Sequence, residues 1–189
     1  MISVVRKVAD VVAIPFTVGG GVRNVDDATR IIESGADRVS LNSAALADPS
    51  LITAIANRFG SQAVVVAIDA GAGVVHTHGG RVATTTPTVP WAVEAALRGA
   101  GEILLTSIRQ DGQRTGFDLV LTASVRNAVS IPVIASGGAG SAQHIADALR
   151  VADAALVASI VHENPAGLAG LRREIERCGV PLRPLKEKP

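Results

Sequence analysis

The sequence predicts an α/β fold: an incomplete TIM-type (βα)8 barrel with six parallel strands and flanking helices. Short apolar runs alternate with segments of helical spacing, which is the pattern of a parallel sheet with right-handed crossovers. Aromatic residues are scarce, with 3 Phe, 1 Trp and no Tyr, so the core must be built from aliphatic side chains, as in strands buried on both faces. In addition, the stretch Pro15–Ala44 recurs in outline as Pro132–Ile160, which indicates one strand–loop–helix–strand unit used more than once.

The elements follow one another regularly along the chain. Residues 2–12 have helical spacing, and the Ile14-Pro15 pair ends this helix because the residue before a proline disfavours helical conformation. Strands are predicted at Phe16–Val18, Arg38–Leu41, Ala63–Ile68, Ile103–Thr106, Val133–Ala135 and Ala154–Val157. Helices are predicted between them at Val25–Ser34, Pro49–Phe59, Val89–Gly99, Asp118–Val129 and Ala142–Val151. The stretch Ala70–Pro90 is long for a loop and predicts either a small hairpin or a mobile lid.

The predicted domain organisation is a single barrel domain over residues 1–189, made of a leading helix and six βα units. A chain of 189 residues is long enough to bury one sizeable core. A closed barrel of this type has eight strands and about 250 residues. The sequence therefore predicts a barrel that lacks its first two strands.

The composition excludes several classes of function. The net charge is +1, and no basic stretch is interleaved with aromatic residues, so nucleic-acid binding is not expected. The single cysteine, Cys178, excludes an internal disulfide and fits a reducing compartment. The first residues contain charges and no long apolar run, so neither a signal peptide nor a membrane span is expected. We expect a cytoplasmic protein without a membrane partner.

Two glycine clusters lie between a predicted strand and a predicted helix, at Gly19–Gly21 and at Gly137-Gly138. Glycine lets backbone N–H groups approach an anion, and a following helix adds a favourable dipole. Ser43 and Ser159 come after the neighbouring strands and could donate hydroxyl hydrogen bonds to the same anions. The alternative is that the glycines only form tight turns. Two matching clusters favour a ligand with two phosphates.

Asp69 comes at the end of the strongest predicted strand, QAVVVAIDA. A carboxylate in this position should be partly desolvated at the rim of the barrel, where it suits acid/base chemistry. The alternative is that Asp69 caps a loop. Asn42, Thr106 and Ser107 end other strands and could supply hydrogen bonds, and the Asp111-Gly112 turn could present a second carboxylate.

Other polar residues have weaker signals. Arg38 and Glu102 come at the starts of strands, where they either form an ion pair across the lower mouth of the barrel or remain solvated. His76 and His78 could be read as metal ligands, but no carboxylate or thiol lies close by in sequence, and alternation in a strand-like loop explains them. We therefore expect no metal and no cofactor. Trp91, which follows a proline, is predicted to be a packing anchor.

These residues together resemble one family, the cyclase subunit of imidazole glycerol phosphate synthase in histidine biosynthesis. The resemblance covers almost the whole chain. Its matching stretches are IPFTVGGGVR, GADRVSLNSAAL, LITAIANRFGSQAVVVAIDA, RGAGEILLTSI with DG following, IPVIASGGAG and ADAALVASIVH. The related isomerase of the preceding step shares the barrel and the doubled phosphate sites, and it remains an alternative.

The resemblance implies a barrel that binds a bis-phosphorylated ribulosyl-formimino carboxamide ribonucleotide. Ammonia from a glutaminase subunit would pass through the barrel, giving imidazole glycerol phosphate and aminoimidazole carboxamide ribonucleotide. Asp69 matches a catalytic aspartate, Thr106 a substrate contact, and Arg38 with Glu102 two charged residues that gate the ammonia entrance. The residues that match the two phosphate sites are Gly20, Gly21, Asn42 and Ser43 for one, and Gly137, Gly138, Ala158 and Ser159 for the other.

The sequence also departs from the family pattern. The first two strands are absent, and with them another catalytic aspartate, while Arg109 replaces an acidic residue and Val151 a glycine. Little or no turnover is therefore expected from this chain alone. The strands Phe16–Val18 and Ala154–Val157 would be open edges, so we expect homo-oligomers that form through them. A further alternative is a non-catalytic, phosphate-binding and self-associating barrel fragment.

Overall fold

The computed structural model describes residues 2–163 and 167–184. The helices in these ranges are α1 (Ile2–Ala9), α2 (Val25–Ile32), α3 (Ser43–Ala47), α4 (Ser50–Phe59), α5 (Thr88–Leu97), α6 (Leu119–Ala128), α7 (Ala142–Leu149), α8 (Ser159–Glu163) and α9 (Gly167–Arg177). The strands are β1 (Thr17–Gly19), β2 (Arg38–Leu41), β3 (Val64–Gly71), β4 (Val74–Thr77), β5 (Val82–Pro87), β6 (Glu102–Ser107), β7 (Val133–Ser136) and β8 (Ala154–Ala155). In this part of the chain, no helix has both the length and the apolar character that crossing a membrane requires.

The sheet contains six parallel strands in the order β1-β2-β3-β6-β7-β8, each joined to the next by a helical crossover, as predicted. This order confirms an α/β fold of the incomplete-barrel type. Strands β4 and β5 form an antiparallel hairpin on β3, so the hairpin alternative for Ala70–Pro90 is confirmed. Within the described ranges, the outer edges of β1 and β8 pair with no other strand. The single domain over residues 1–189 stays a prediction, and residues 1, 164–166 and 185–189 lie outside the described residues.

Several predicted boundaries were wrong. The helix predicted over residues 2–12 ends at Ala9, and the strand predicted at Ala154–Val157 has ladder pairing only at Ala154–Ala155. One hydrogen bond continues beyond that strand, from Leu156 N–H to the Ala135 carbonyl (2.8 Å). Sequence reasoning also missed α3, α8 and α9.

The core lies between the sheet and the helices that cover its outer face. Alternate strand residues such as Val39, Leu41 and Ile103 are almost fully buried there. Trp91 on α5 is 2% exposed, which confirms its predicted packing role. Most side chains on the other face of the sheet are only half-buried, so the expectation of burial on both faces was only partly correct. Within the described ranges β1 and β8 are not paired with each other, so the sheet does not close into a barrel and this face stays open.

Candidate functional site

The polar side chains of the inner sheet face meet at the carboxyl ends of the parallel strands. Asp69 on β3 pairs in register with Thr106 on β6, and Thr106 pairs with Ser136 on β7. Because residues at matched register in neighbouring strands point to the same side, these three side chains form one row. This edge is where barrel folds place their chemistry.

Asp69 is the half-buried carboxylate in this row. Its Oδ2 accepts a hydrogen bond of 2.9 Å from Nδ2 of Asn42, which follows β2. Burial raises the pKa of the Asp69 carboxyl above its ordinary value, and the negative charge of Asp111 acts in the same direction. The Asn42 hydrogen bond and His76 partly oppose this rise. A carboxyl group that is easier to protonate than usual and lies beside a cavity suits proton transfer.

The first of two glycine-loop pockets, called here the N-terminal pocket, has a volume of about 430 Å³. Its lining includes the predicted residues Gly20, Gly21, Asn42, Ser43 and Asp69. The β4–β5 hairpin reaches over this pocket: Gly79 is part of its lining, and the backbone N–H of His78 donates to Ser43 Oγ (3.0 Å).

The second, the C-terminal pocket, has a volume of about 150 Å³. The predicted residues that line it are Gly137, Gly138, Ala158 and Ser159. Asp111 and Arg114 of the β6–α6 loop complete the wall. The pocket is narrow because this loop packs against the glycines: Gly116 N–H donates to the Gly138 carbonyl (2.9 Å).

Thr106 and the two charged residues at the strand starts complete the predicted set. Thr106 stands beside Asp69 in register, between the strands that lead to the two pockets. At the opposite rim, Arg38 Nη1 and Glu102 Oε2 lie 3.1 Å apart, across β3, so the structure shows an ion pair there. Its role as a gate stays a prediction.

The hairpin holds both histidines that could be read as metal ligands. His78 Nδ1 lies 3.0 Å from Thr77 Oγ1, and His76 Nε2 lies 3.4 Å from the Gly71 carbonyl. Among residues 2–163 and 167–184, no group of three or more His, Cys, Asp or Glu side chains could hold a metal ion.

Sequence reasoning missed two contributors to the pockets, Gly79 and Arg114. The His-Gly-Gly turn was a signal for the hairpin tip, since such residues accept the positive φ angles that a tight turn needs. No signal in the sequence placed this tip over the N-terminal pocket, because the contact joins residues 35 positions apart. The contact of Arg114 with the second glycine loop is equally non-local.

An open sheet of βα units with paired glycine loops and a carboxylate at the strand ends defines a (βα)8-type barrel protein. The family model described as histidine biosynthesis protein matches residues 1–166, and this chain belongs to that family. Relatives named imidazole glycerol phosphate synthase subunit HisF support the same assignment. The protein of Lysinibacillus sphaericus is 53% identical over 192 residues, covering 97% of this chain and 76% of the relative.

Two further relatives of the same name agree. The Myxococcus xanthus protein is 52% identical over 189 residues, and the Acidobacterium capsulatum protein is 54% identical over 189 residues. Each alignment covers 97% of this chain and 75% of the relative. The resemblance to the cyclase subunit is thereby confirmed.

Proposed function

We propose that this chain binds a bis-phosphorylated substrate through its two glycine-loop pockets and contributes Asp69 to the cyclase reaction of imidazole glycerol phosphate synthase. The substrate would be the ribulosyl-formimino carboxamide ribonucleotide, with ammonia as co-substrate. The products would be imidazole glycerol phosphate and aminoimidazole carboxamide ribonucleotide. The observation that carries this proposal is the placement of two glycine-loop pockets at the same edge of the sheet, one of them lined by the half-buried carboxylate of Asp69.

The pockets would hold the two phosphates through backbone N–H groups of the glycine loops. The glycines supply N–H groups without a Cβ to block an approaching anion. The hydroxyl groups of Ser43 and Ser159 would add one donor to each pocket, and Thr106 would contact the substrate between them. A substrate anchored at both ends is held over Asp69, where proton transfer takes place.

Asp69 would exchange the proton that ring closure requires. Its pKa is raised by burial, so the group can hold a proton more easily than an exposed aspartate, and Asn42 fixes the orientation of the carboxylate. Among the described residues that line the N-terminal pocket, Asp69 is the only carboxylate. Asp111 lies in the C-terminal pocket, so a mechanism with two carboxylates at the N-terminal pocket lacks one member, and we expect weak or no turnover by the 189 residues alone.

A glutaminase subunit would supply ammonia at the rim where Arg38 and Glu102 form their ion pair. The relatives' printed name, a subunit of the synthase, supports a partner of this kind. A small molecule that passes this rim would enter along the inner face of the sheet, towards Asp69. A cytoplasmic location belongs to the same proposal.

Turnover and phosphate titration test this function together. Inorganic phosphate should shift the amide resonances of Gly20, Gly21, Gly137 and Gly138, which reports each pocket separately. Ammonia-dependent turnover, if present, should fall by at least about a hundredfold in the Asp69→Asn variant, as for loss of a general acid/base. Glu94→Gln on the outside of α5 is the control, and it should change neither the phosphate-induced shifts nor the turnover. Absent phosphate shifts, or turnover that survives in Asp69→Asn, would contradict the proposal.

The binding-module alternative is favoured by the open edges of the sheet. Val11 and Ile14, which lead into β1, are 80% and 72% exposed, and the outer edges of β1 and β8 have no strand partner in the described ranges. Open edges are templates for pairing with another chain, and we propose a homo-oligomer that forms there. Light scattering after size exclusion should give at least twice the monomer mass of 19.3 kDa. A well-folded monomer at high concentration would contradict this proposal.

A further inference from the structure

Arg114 lies on the wall between two cavities. One is the C-terminal pocket, and the other is an outer groove of about 430 Å³ that is also lined by Glu163 and Glu174. The side chain is directed to the groove, where Arg114 Nη2 and Glu163 Oε1 lie 2.5 Å apart. Arg114 of the β6–α6 loop therefore lines the C-terminal pocket and has a carboxylate partner, Glu163, outside it.

The charges of the C-terminal pocket show why this residue matters. Among the described residues of its lining, Asp111 and Arg114 are the charged ones. A phosphate in this pocket would meet the like charge of Asp111, so its binding there needs a compensating cation. Arg114 is the cation of that lining, and a guanidinium forms strong, charge-assisted hydrogen bonds with phosphate oxygens.

The backbone of Arg114 is fixed beside the glycine loop, so its side chain is the movable part. The Arg114 carbonyl oxygen lies against Gly140, where an added Cβ would come within 2.1 Å of it. Arg114 itself has a φ of +59°, a conformation that few non-glycine residues adopt. Its Cα is therefore held near the pocket, whichever way the guanidinium points.

We propose that Arg114 is a further phosphate-binding residue of the C-terminal pocket and that Glu163 holds it in the outer groove until phosphate displaces it. The inference rests on the proposed phosphate binding and adds a specific residue and its competitor. The side chains of Arg114 and Glu163 are 52% and 56% exposed, so their ion pair is screened by water and contributes little. A dianionic phosphate among loop N–H groups is the stronger partner.

The test titrates the full chain with inorganic phosphate and measures the affinity from the shifts of the Gly137 and Gly138 amide resonances. Arg114→Asn is the first variant, because asparagine tolerates a positive φ and so keeps the loop. It should weaken phosphate binding at this pocket about tenfold, as expected for the loss of one charge-assisted contact. Glu163→Gln should strengthen it about two- to fivefold, because the competitor is removed. Arg114→Lys, which retains the charge, should recover part of the affinity.

Two internal controls separate the outcomes. Glu174→Gln removes a carboxylate from the same groove and should leave binding within about twofold of the wild type. The resonances of Gly20 and Gly21 report the other pocket and should respond to phosphate equally in all variants. Wild-type affinity in Arg114→Asn, or weaker binding in Glu163→Gln, would overturn this inference and leave the proposed function intact. A wild-type chain without phosphate shifts at Gly137 and Gly138 would overturn both.

Discussion

The two glycine-loop pockets are built on the same chain path but are covered differently. In both, a short strand leads through glycines to a helix with a side-chain cap, since Asn24 accepts from Asp27 N–H and Ser141 accepts from His144 N–H. Gly20 of the N-terminal pocket has no atom within 4 Å of the position of a Cβ. At Gly137, the matching residue of the C-terminal pocket, a Cβ would lie 2.9 Å from the Ser107 carbonyl oxygen.

This difference shows that a repeated sequence pattern sets the local path and leaves the surroundings to other parts of the chain. The β4–β5 hairpin reaches the N-terminal pocket with a single hydrogen bond, from His78 N–H to Ser43 Oγ. The β6–α6 loop instead packs along the second glycine loop and narrows the pocket there. Glycine is therefore required for different reasons at matching positions of the two copies: for its backbone conformation at Gly20, and for close approach as well at Gly137.

The largest expected effect comes from alanine at these two glycines. Gly137→Ala should lower the free energy of unfolding by about 2–3 kcal/mol, because it places a Cβ against the Ser107 carbonyl oxygen and adds the cost of a positive φ, +91° here. Gly20→Ala has only the backbone cost, and we expect about 1 kcal/mol at its φ of +85°. Denaturant unfolding at fixed pH measures both. Equal losses in the two variants would show that the covers of the pockets do not differ in solution.

The sequence was sufficient for those features that depend on neighbouring residues. The glycine loops, the place of Asp69 near the carboxyl end of β3 and the crossover helices all follow from spacing and turn chemistry. The ion pair of Arg114 with Glu163 joins residues 49 positions apart, and no local pattern specifies it. Helix α9 was missed because the sequence there is strongly charged, although Leu171 and Ile175 are spaced four apart and are 1% and 5% exposed.

A smaller effect is expected from the carboxylate of the N-terminal pocket. Since burial raises the pKa of folded Asp69, its protonated form contributes stability that is fully present below the unfolded value of about 3.8 and is lost as pH rises through the folded pKa. The wild type should therefore lose stability relative to Asp69→Asn over this window, by about 1 kcal/mol or less. Above the folded pKa, the difference should be constant. Unfolding measured at a series of pH values gives the comparison.

Asp111→Asn connects this carboxylate to the other pocket. Asp111 lines the C-terminal pocket, and its charge helps to raise the pKa of Asp69. Its removal should shift the pH range over which Asp69 lowers the stability to lower pH, without abolishing the loss. If the pH range of the loss is unchanged, the two pockets are electrostatically independent. If Asp69→Asn shows the same dependence of stability on pH as the wild type, the titration belongs to another group.

The smallest effect concerns the single hydrogen bond between the hairpin and the N-terminal pocket. Ser43→Ala removes the hydroxyl that accepts from His78 N–H, and an exposed bond of this kind contributes about 0.5–1 kcal/mol. The amide of His78 should exchange with solvent a few-fold faster, while Ser159→Ala in the C-terminal pocket should leave this amide unchanged. The Ser43 hydroxyl can donate its O–H to a phosphate while its oxygen accepts from His78 N–H, so bound phosphate should slow exchange at His78 in the wild type but not in Ser43→Ala. Protection of His78 that survives the loss of the hydroxyl would instead mean that the hairpin is held by its own strands, and the cover of this pocket would then be as fixed as that of its counterpart.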